Sequence, residues 1–211
     1  YSASKACAEI ISNAYMKSFF EEGGPCIATA RAGNVIGGGD WAVDRIVPDC
    51  MYAWSLSQIV DIRSPQSTRP WQHVLEPLSG YLTLASELTQ NYQFHGEAYN
   101  FGPSSNQNYP VSDLINEMSK YWDHVKWQDV SKAGDNFHEA GLLKLNCDKA
   151  QFEIGWHSTL DFNETVEDSE EDLMEFTISN TEDTISIETE VEEVVENRVV
   201  LTLDDELGRM R

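Results

Sequence analysis

The chain has 211 residues, 41% of them apolar, and a formal net charge of −22. That length supports one domain of moderate size, or one and a piece, with enough apolar material for a core. No apolar run is long enough to cross a bilayer and the first residues do not read as a secretory segment, so no membrane association is expected.

The charge is uneven. Residues 1–160 carry 18 acidic and 11 basic side chains, whereas residues 161–211 carry 18 acidic and 3 basic. The first part is therefore a mildly acidic domain, and the acidity belongs mostly to the tail. There is no basic patch to neutralise phosphates, which argues against nucleic-acid binding. Cys7, Cys26, Cys50 and Cys147 are scattered, with no CxxC and no His-containing ligand spacing. That pattern argues against zinc and against a disulfide scaffold, and suits a reducing cytoplasm.

Tyr1-Ser2-Ala3-Ser4-Lys5 opens the chain as a Tyr-x-x-x-Lys pair at the head of an amphipathic helix. Four residues is about one helical turn, so both side chains lie on one face. A nearby ammonium stabilises phenolate and makes tyrosine a usable base toward a sugar or alcohol hydroxyl. On spacing alone, an aromatic anchor with a solvated lysine is the commoner outcome. Because a Tyr inside a motif stands first, the chain reads as a fragment of a longer polypeptide. Ala6 to Phe20 continues the helix with one face expected to be buried, and Gly23-Gly24-Pro25 ends it.

Cys26 to Ala32 reads as a strand buried on both faces of a parallel sheet. Gly33-Asn34-Val35-Ile36-Gly37-Gly38-Gly39-Asp40 follows at its carboxyl end, where such sheets hold ligands. Asn34 offers both a donor and an acceptor. Val43 to Leu56 reads as a helix with Pro48 early in it, and Ile59 to Arg63 as a short strand. Ser64 to Val74 reads as a polar loop in which Arg69, Trp71 and His73 lie close together. Arg69 could clamp a phosphate through its planar fork. A surface ion pair for Arg69 and a core position for His73 stay equally open from these residues alone. Glu76-Pro77 starts a helix. Ala98 to Pro103 is a strand and Gly-Pro turn, Val111 to Trp122 a helix, and Val125 to Trp127 a strand. His138-Glu139-Ala140 and Leu142 to Leu145 give a loop and a strand, and Cys147 to Ile154 a helix closed by Gly155. Asp161 or Asn163 caps a last helix. Beyond Phe176, β-branched residues alternate with glutamates between Thr184 and Leu203, as an acidic hairpin or a segment disordered until bound.

Three stretches together resemble the extended short-chain dehydrogenase/reductase family of nucleotide-sugar enzymes. They are Tyr1 to Glu9, Ala30 to Ala42 and Thr68 to Leu82, with Asn100-Phe101-Gly102-Pro103 and His138-Glu139-Ala140 in support. The resemblance covers roughly residues 1–166 and stops; residues 167–211 form the acidic extension. It implies an α/β fold, the C-terminal part of a Rossmann-type doubly wound parallel sheet with a small α/β substrate-binding lobe. By the same resemblance Tyr1 is the base, Lys5 its partner and a contact of the nicotinamide ribose, and Asn34-Val35 the loop at the nicotinamide end. Arg69 grips the substrate diphosphate, with Asn34, Arg45 and His73 as further substrate contacts. The implied cofactor is NAD, the substrate a CDP-sugar undergoing 4,6-dehydration, and the assembly a homodimer. Two alternatives stand beside this: an epimerase or decarboxylase of the same fold, and a non-catalytic interaction protein with an acidic tail.

The family's glycine-rich phosphate turn and its elimination residues lie upstream of its Tyr-x-x-x-Lys. Gly37-Gly38-Gly39 is not that turn, because it follows the catalytic helix. Residues 1–211 alone are therefore expected to show no tight NAD binding by calorimetry; a saturable high-affinity isotherm would contradict the reading.

Overall fold

A computed structural model describes residues 2–20, 24–40, 42, 44–122, 125–131, 141–169 and 200–205. The chain runs from helix α1 (Ser2–Phe19) into strands β1 (Ile27–Ala32) and β2 (Asn34–Ile36). Helix α2 (Ile46–Ser55), strand β3 (Val60–Ile62) and the short strands β4 (Thr68–Arg69) and β5 (Trp71–His73) follow. Helix α3 (Leu75–Gln90) leads to β6 (Ala98–Phe101), β7 (Tyr109–Pro110), α4 (Val111–Met118), β8 (Trp127–Asp129) and α5 (Asp148–Ile154). A helix over 162–169, α6, and strand β9 (Val200–Asp205) complete the described elements.

β1 is the middle of a three-stranded parallel sheet ordered β6-β1-β9. Ala28 and Ala30 are fully buried there, as a central parallel strand requires. Their small side chains admit α3 and α5, and one core gathers Leu84, Leu88, Phe94, Tyr99, Phe101, Ile154 and Trp156. The expectation of a Rossmann-type parallel sheet holds. The acidic tail supplies β9, which pairs with β1 along its whole length; residues 184–199 of the anticipated hairpin lie outside the described residues.

A second core belongs to the smaller lobe. Met51 and Trp54 of α2, Val60 and Ile62 of β3, Trp71 of β5 and Leu114, Ile115 and Met118 of α4 pack together with Phe162 and Val166. Polar ends of these aromatic anchors are paired: the Trp54 indole donates to Lys126 O at 3.0 Å and that of Trp71 to Tyr109 O at 3.1 Å. β2 and β5 run parallel, with Asn34 opposite Trp71 and Ile36 opposite His73. α6 begins on a reciprocal cap in which Asp161 Oδ1 accepts from Glu164 N–H and Glu164 Oε2 accepts from Asp161 N–H. Asp161, of the two candidates, is the cap.

Two expectations are corrected. The residues 64–74 are not only a polar loop: they hold β4 and β5, and Ser67, Arg69, Trp71, Gln72 and His73 are all buried. The strand-pairing partners of Arg69 and Thr68, Tyr109 and Leu142, lie about 40 and 74 residues further along. Second, α1 does not bury an apolar face. Ile10, Ile11, Tyr15 and Phe19 are each more than half exposed, and Met16 is its one buried residue among those described. The half-buried residues are Lys5, Glu9 and Ser12, so the stripe turned inward is mainly polar. Smaller differences are that 142–145 contributes only a bridge from Leu142 to Thr68, and that β8 starts two residues later than expected.

Gly80 marks the tightest helix–sheet contact. A Cβ there would stand 2.2 Å from Phe101 Cδ1. Gly80→Ala, usually stabilising in a helix, is expected here to cost about 1–3 kcal/mol by overpacking, read as a lower urea midpoint; an unchanged or raised midpoint would contradict this packing.

Candidate functional site

The site lies where the sheet gives way to the smaller lobe. β1 ends at Ala32, Gly33 turns the chain, and β2 begins at Asn34. Gly33 has no room for a side chain: a Cβ would sit 2.8 Å from Pro70 O. Its N–H donates to Phe101 O at 3.2 Å, and the Gln72 amide donates to the same carbonyl at 3.0 Å. Thus the last residue of β6 holds both the β1–β2 corner and β5. This brings Asn34 next to the Arg69-Pro70-Trp71 segment across the β2–β5 ladder.

Asn34 is buried, and its Oδ1 has no hydrogen-bond partner among the described residues. The same holds for Gln72 Oε1, with Gln72 1% exposed. A buried acceptor without a donor costs about 1–3 kcal/mol. Asn34 lies at the carboxyl end of the sheet, where a ligand amide or hydroxyl would relieve that cost. This acceptor fits a nicotinamide cofactor or sugar nucleotide.

Beyond β2 the chain presses close to the start of α3. Val74 N–H donates to Ile36 O at 2.8 Å, and a Cβ on Gly37 would stand 2.6 Å from Val74 Cγ1. A cavity of about 420 Å³ opens beside this contact, lined by Val35, Gly37, Gly38, Arg45, Val74 and Tyr81 among others. Arg45 Nε lies 3.7 Å from Asp40 Oδ2, and its Nη1 is buried without a hydrogen-bond partner among the described residues. The cavity therefore offers an apolar wall, glycine backbone and one guanidinium with a donor to spare, a set that suits an anionic, hydroxylated ligand.

The structure thus joins Val35 and Arg45 in one cavity and sets Asn34 beside the Arg69 strand. Arg69 is 5% exposed; one Nη donates to Thr68 O at 2.8 Å, and the side chain has further interactions. His73 is buried, and its Nδ1 accepts from Leu75 N–H at 3.3 Å at the start of α3. Lys5 sits half-buried on α1. Tyr1 and His138-Glu139-Ala140 lie outside the described residues.

Two residues went unread in the sequence. Glu76 looked only like a helix start, yet it is buried, and its Oε1 accepts from Thr159 N–H at 2.9 Å and Leu160 N–H at 2.7 Å. It ties α3 to the segment leading into α6, more than 80 residues away. Gln72, between two aromatic residues, carries no local signal of its role at Phe101.

The chain matches no family model. It is 44% identical over 172 residues to a CDP-glucose 4,6-dehydratase of Salmonella typhimurium, an alignment covering 79% of this chain and 47% of the relative. Among solved structures it resembles the UDP-glucuronic acid 4-epimerase of Bacillus cereus in complex with UDP-glucuronic acid and NAD, with a TM-score of 0.65 and 16% identity, over 80% of this chain and 50% of that one. It also resembles the dTDP-glucose 4,6-dehydratase of Bacillus anthracis in complex with NAD, with a TM-score of 0.62 and 16% identity, over 85% of this chain and 52% of that one. The fold is that of the nucleotide-sugar epimerases and dehydratases. By sequence the chain resembles the CDP-glucose 4,6-dehydratase, and it spans about half that relative's length.

Within this epimerase and dehydratase fold, Cys147 is unsuited to act as a nucleophile. It is free, half-buried beside Gly102, and burial pushes its thiol up to about 11. At pH 8 only about one Cys147 in a thousand is thiolate. Iodoacetamide at pH 8 is therefore expected to alkylate the exposed Cys7 first and to reach Cys147 only as the pH approaches 11; fast labelling of Cys147 at pH 8 would contradict this.

Proposed function

We propose that the intact polypeptide containing this chain converts CDP-glucose to CDP-4-keto-6-deoxyglucose as an NAD-dependent hydro-lyase. The observation that carries the reading is the 44% identity over 172 residues to a CDP-glucose 4,6-dehydratase. The unpaired buried acceptor of Asn34 beside the Arg69 strand supports it.

Each residue then has a task. Tyr1, as the phenolate, takes the proton of the sugar C4 hydroxyl. Lys5, four residues along the sequence, keeps the phenol ionised and holds the nicotinamide ribose. Asn34 and Val35 border the nicotinamide end, and Arg69 holds the diphosphate with its fork, assisted by Arg45 and His73. A bound NAD would supply a reversible hydride acceptor for the sugar C4 and C6 positions, with no net consumption. Between these events the 4-keto group acidifies C5, and water leaves across C5 and C6. The phosphate turn for NAD and the acid–base pair for elimination are assigned to sequence outside residues 1–211.

The enzyme is read as a cytoplasmic homodimer without nucleic-acid or membrane partners. No described helix is long and apolar enough to cross a membrane. The exposed Ile10, Ile11, Tyr15 and Phe19 of α1 give the dimer contact an apolar surface. A second reading, epimerisation, draws on the similarity of fold to a 4-epimerase; it shares the first proton and hydride transfers.

Incubating the intact protein with CDP-glucose and NAD is expected to give a product that absorbs in alkali, as 4-keto sugars do. An epimer without that absorbance would overturn the dehydratase reading. Lys5→Met is expected to lower kcat about 10²–10⁴-fold. Arg69→Lys, which loses the fork but keeps the charge, is expected to raise KM about tenfold.

A further inference from the structure

The inward stripe of α1 is Lys5, Glu9, Ser12 and Met16. Successive members are three or four residues apart, so they share one side of the helix. Met16 is buried near the C-terminal end of α1 and fixes that end. Burial at that end alone does not set the rotation of the helix; an attachment further along the stripe constrains it.

Glu9 supplies that attachment. Arg31 Nε and Nη2 donate to the two Glu9 carboxylate oxygens, the Nη2 to Oε2 distance being 2.6 Å. This is a bidentate fork, which fixes direction as well as distance. Arg31 is itself anchored. It lies in β1, opposite Asn100 of β6, and its Nη1 donates to Asn100 Oδ1 at 3.0 Å. The Asn100 amide in turn donates to Asn146 O at 3.0 Å, just before α5. The guanidinium is therefore a fixed point tied to two strands and the approach to α5.

We infer that Arg31, acting through Glu9, sets the rotation of α1 and so aims the Tyr1–Lys5 pair at the reacting sugar carbon, which makes it a positioning residue. Lys5 is one turn from Glu9 on the same stripe, and Tyr1 one turn further in sequence. An error of about 1 Å at a reacting group costs about 10²-fold in rate. Arg31 and Glu9 are placed to influence turnover without touching substrate. The identity of the reaction rests on the dehydratase reading above; the clamp itself does not.

The test uses the intact enzyme with CDP-glucose and NAD. Arg31→Met and Glu9→Ala are each expected to lower kcat per folded molecule about 10²-fold, with KM within twofold, since the fork joins α1 to β1. Arg31→Lys is expected to fall only about tenfold. The double variant is expected to be no worse than either single one, because both remove the same contact. The midpoint of the rising pH limb is expected to stay put, since the four-residue Tyr–Lys spacing is unchanged. Wild-type kcat in folded Arg31→Met, a parallel change in KM, or multiplying single effects would each overturn the inference. If the wild type makes no 4-keto sugar, the dehydratase reading fails separately. The clamp is then read by amide hydrogen exchange over residues 2–10 of the intact protein. Arg31→Met is expected to speed that exchange at least tenfold, and unchanged exchange would overturn the clamp.

Discussion

The Phe101 carbonyl is the point on which the two halves of the structure turn. It ends β6, and it accepts from both Gly33 N–H and the Gln72 amide. The first bond fixes where β1 leaves the sheet, and the second fixes where β5 approaches it. A side chain on Gly33 would collide with Pro70 O, so the corner closes only with glycine. Because both donors meet at one oxygen, the sheet and the smaller lobe cannot shift independently at this seam. The ring of the same Phe101 packs against Trp156, edge to face, with centroids 4.9 Å apart. One residue thus serves the hydrogen-bonded seam with its backbone and the sheet core with its side chain.

This seam explains why polar side chains are buried where they are. Arg69, Gln72, His73 and Glu76 lie within eight residues and are all nearly inaccessible. Burying such groups is costly unless they are paired. Glu76 receives two backbone N–H groups, His73 receives one, and Arg69 donates to Thr68 O. Among the described residues Asn34 Oδ1 and Gln72 Oε1 are buried acceptors without donors, as are Gln107 Oε1 and Asn108 Oδ1. A site that binds a hydroxylated or amide-bearing ligand needs such unfilled acceptors, because a group already satisfied within the protein gains less from binding. The cavity beside Arg45 lies on the same side of the lobe as Val35.

Sequence patterns revealed what is local. The helix at α3 followed from its Pro77 start, and α5 from Gly155, which adopts the left-handed conformation at φ 68°. β1 was legible because an apolar run of small residues between a Gly-Pro turn and a glycine loop has few other fates. The segment 64–74 was read as a polar loop because its strands are two or three residues long and pair with distant partners. No window of eleven residues contains that information. The polar inward stripe of α1 was hidden for another reason: Ile10, Ile11 and Tyr15 dominate the periodicity, yet the side that meets the sheet is chosen by the Glu9–Arg31 fork. Lys5, Asn34, Arg45 and Arg69 could be named from motifs, whereas Gln72 and Glu76 could not, since their partners are backbone groups far along the chain.

An internal redox cycle is set apart from epimerisation by the fate of one hydrogen. CDP-glucose labelled with deuterium at C4 should be converted by the intact enzyme, with substoichiometric NAD, to a 4-keto-6-deoxy product carrying the deuterium at C6. Deuterium returned to C4 of an epimerised sugar would contradict the dehydratase chemistry at the Tyr1–Lys5 pair.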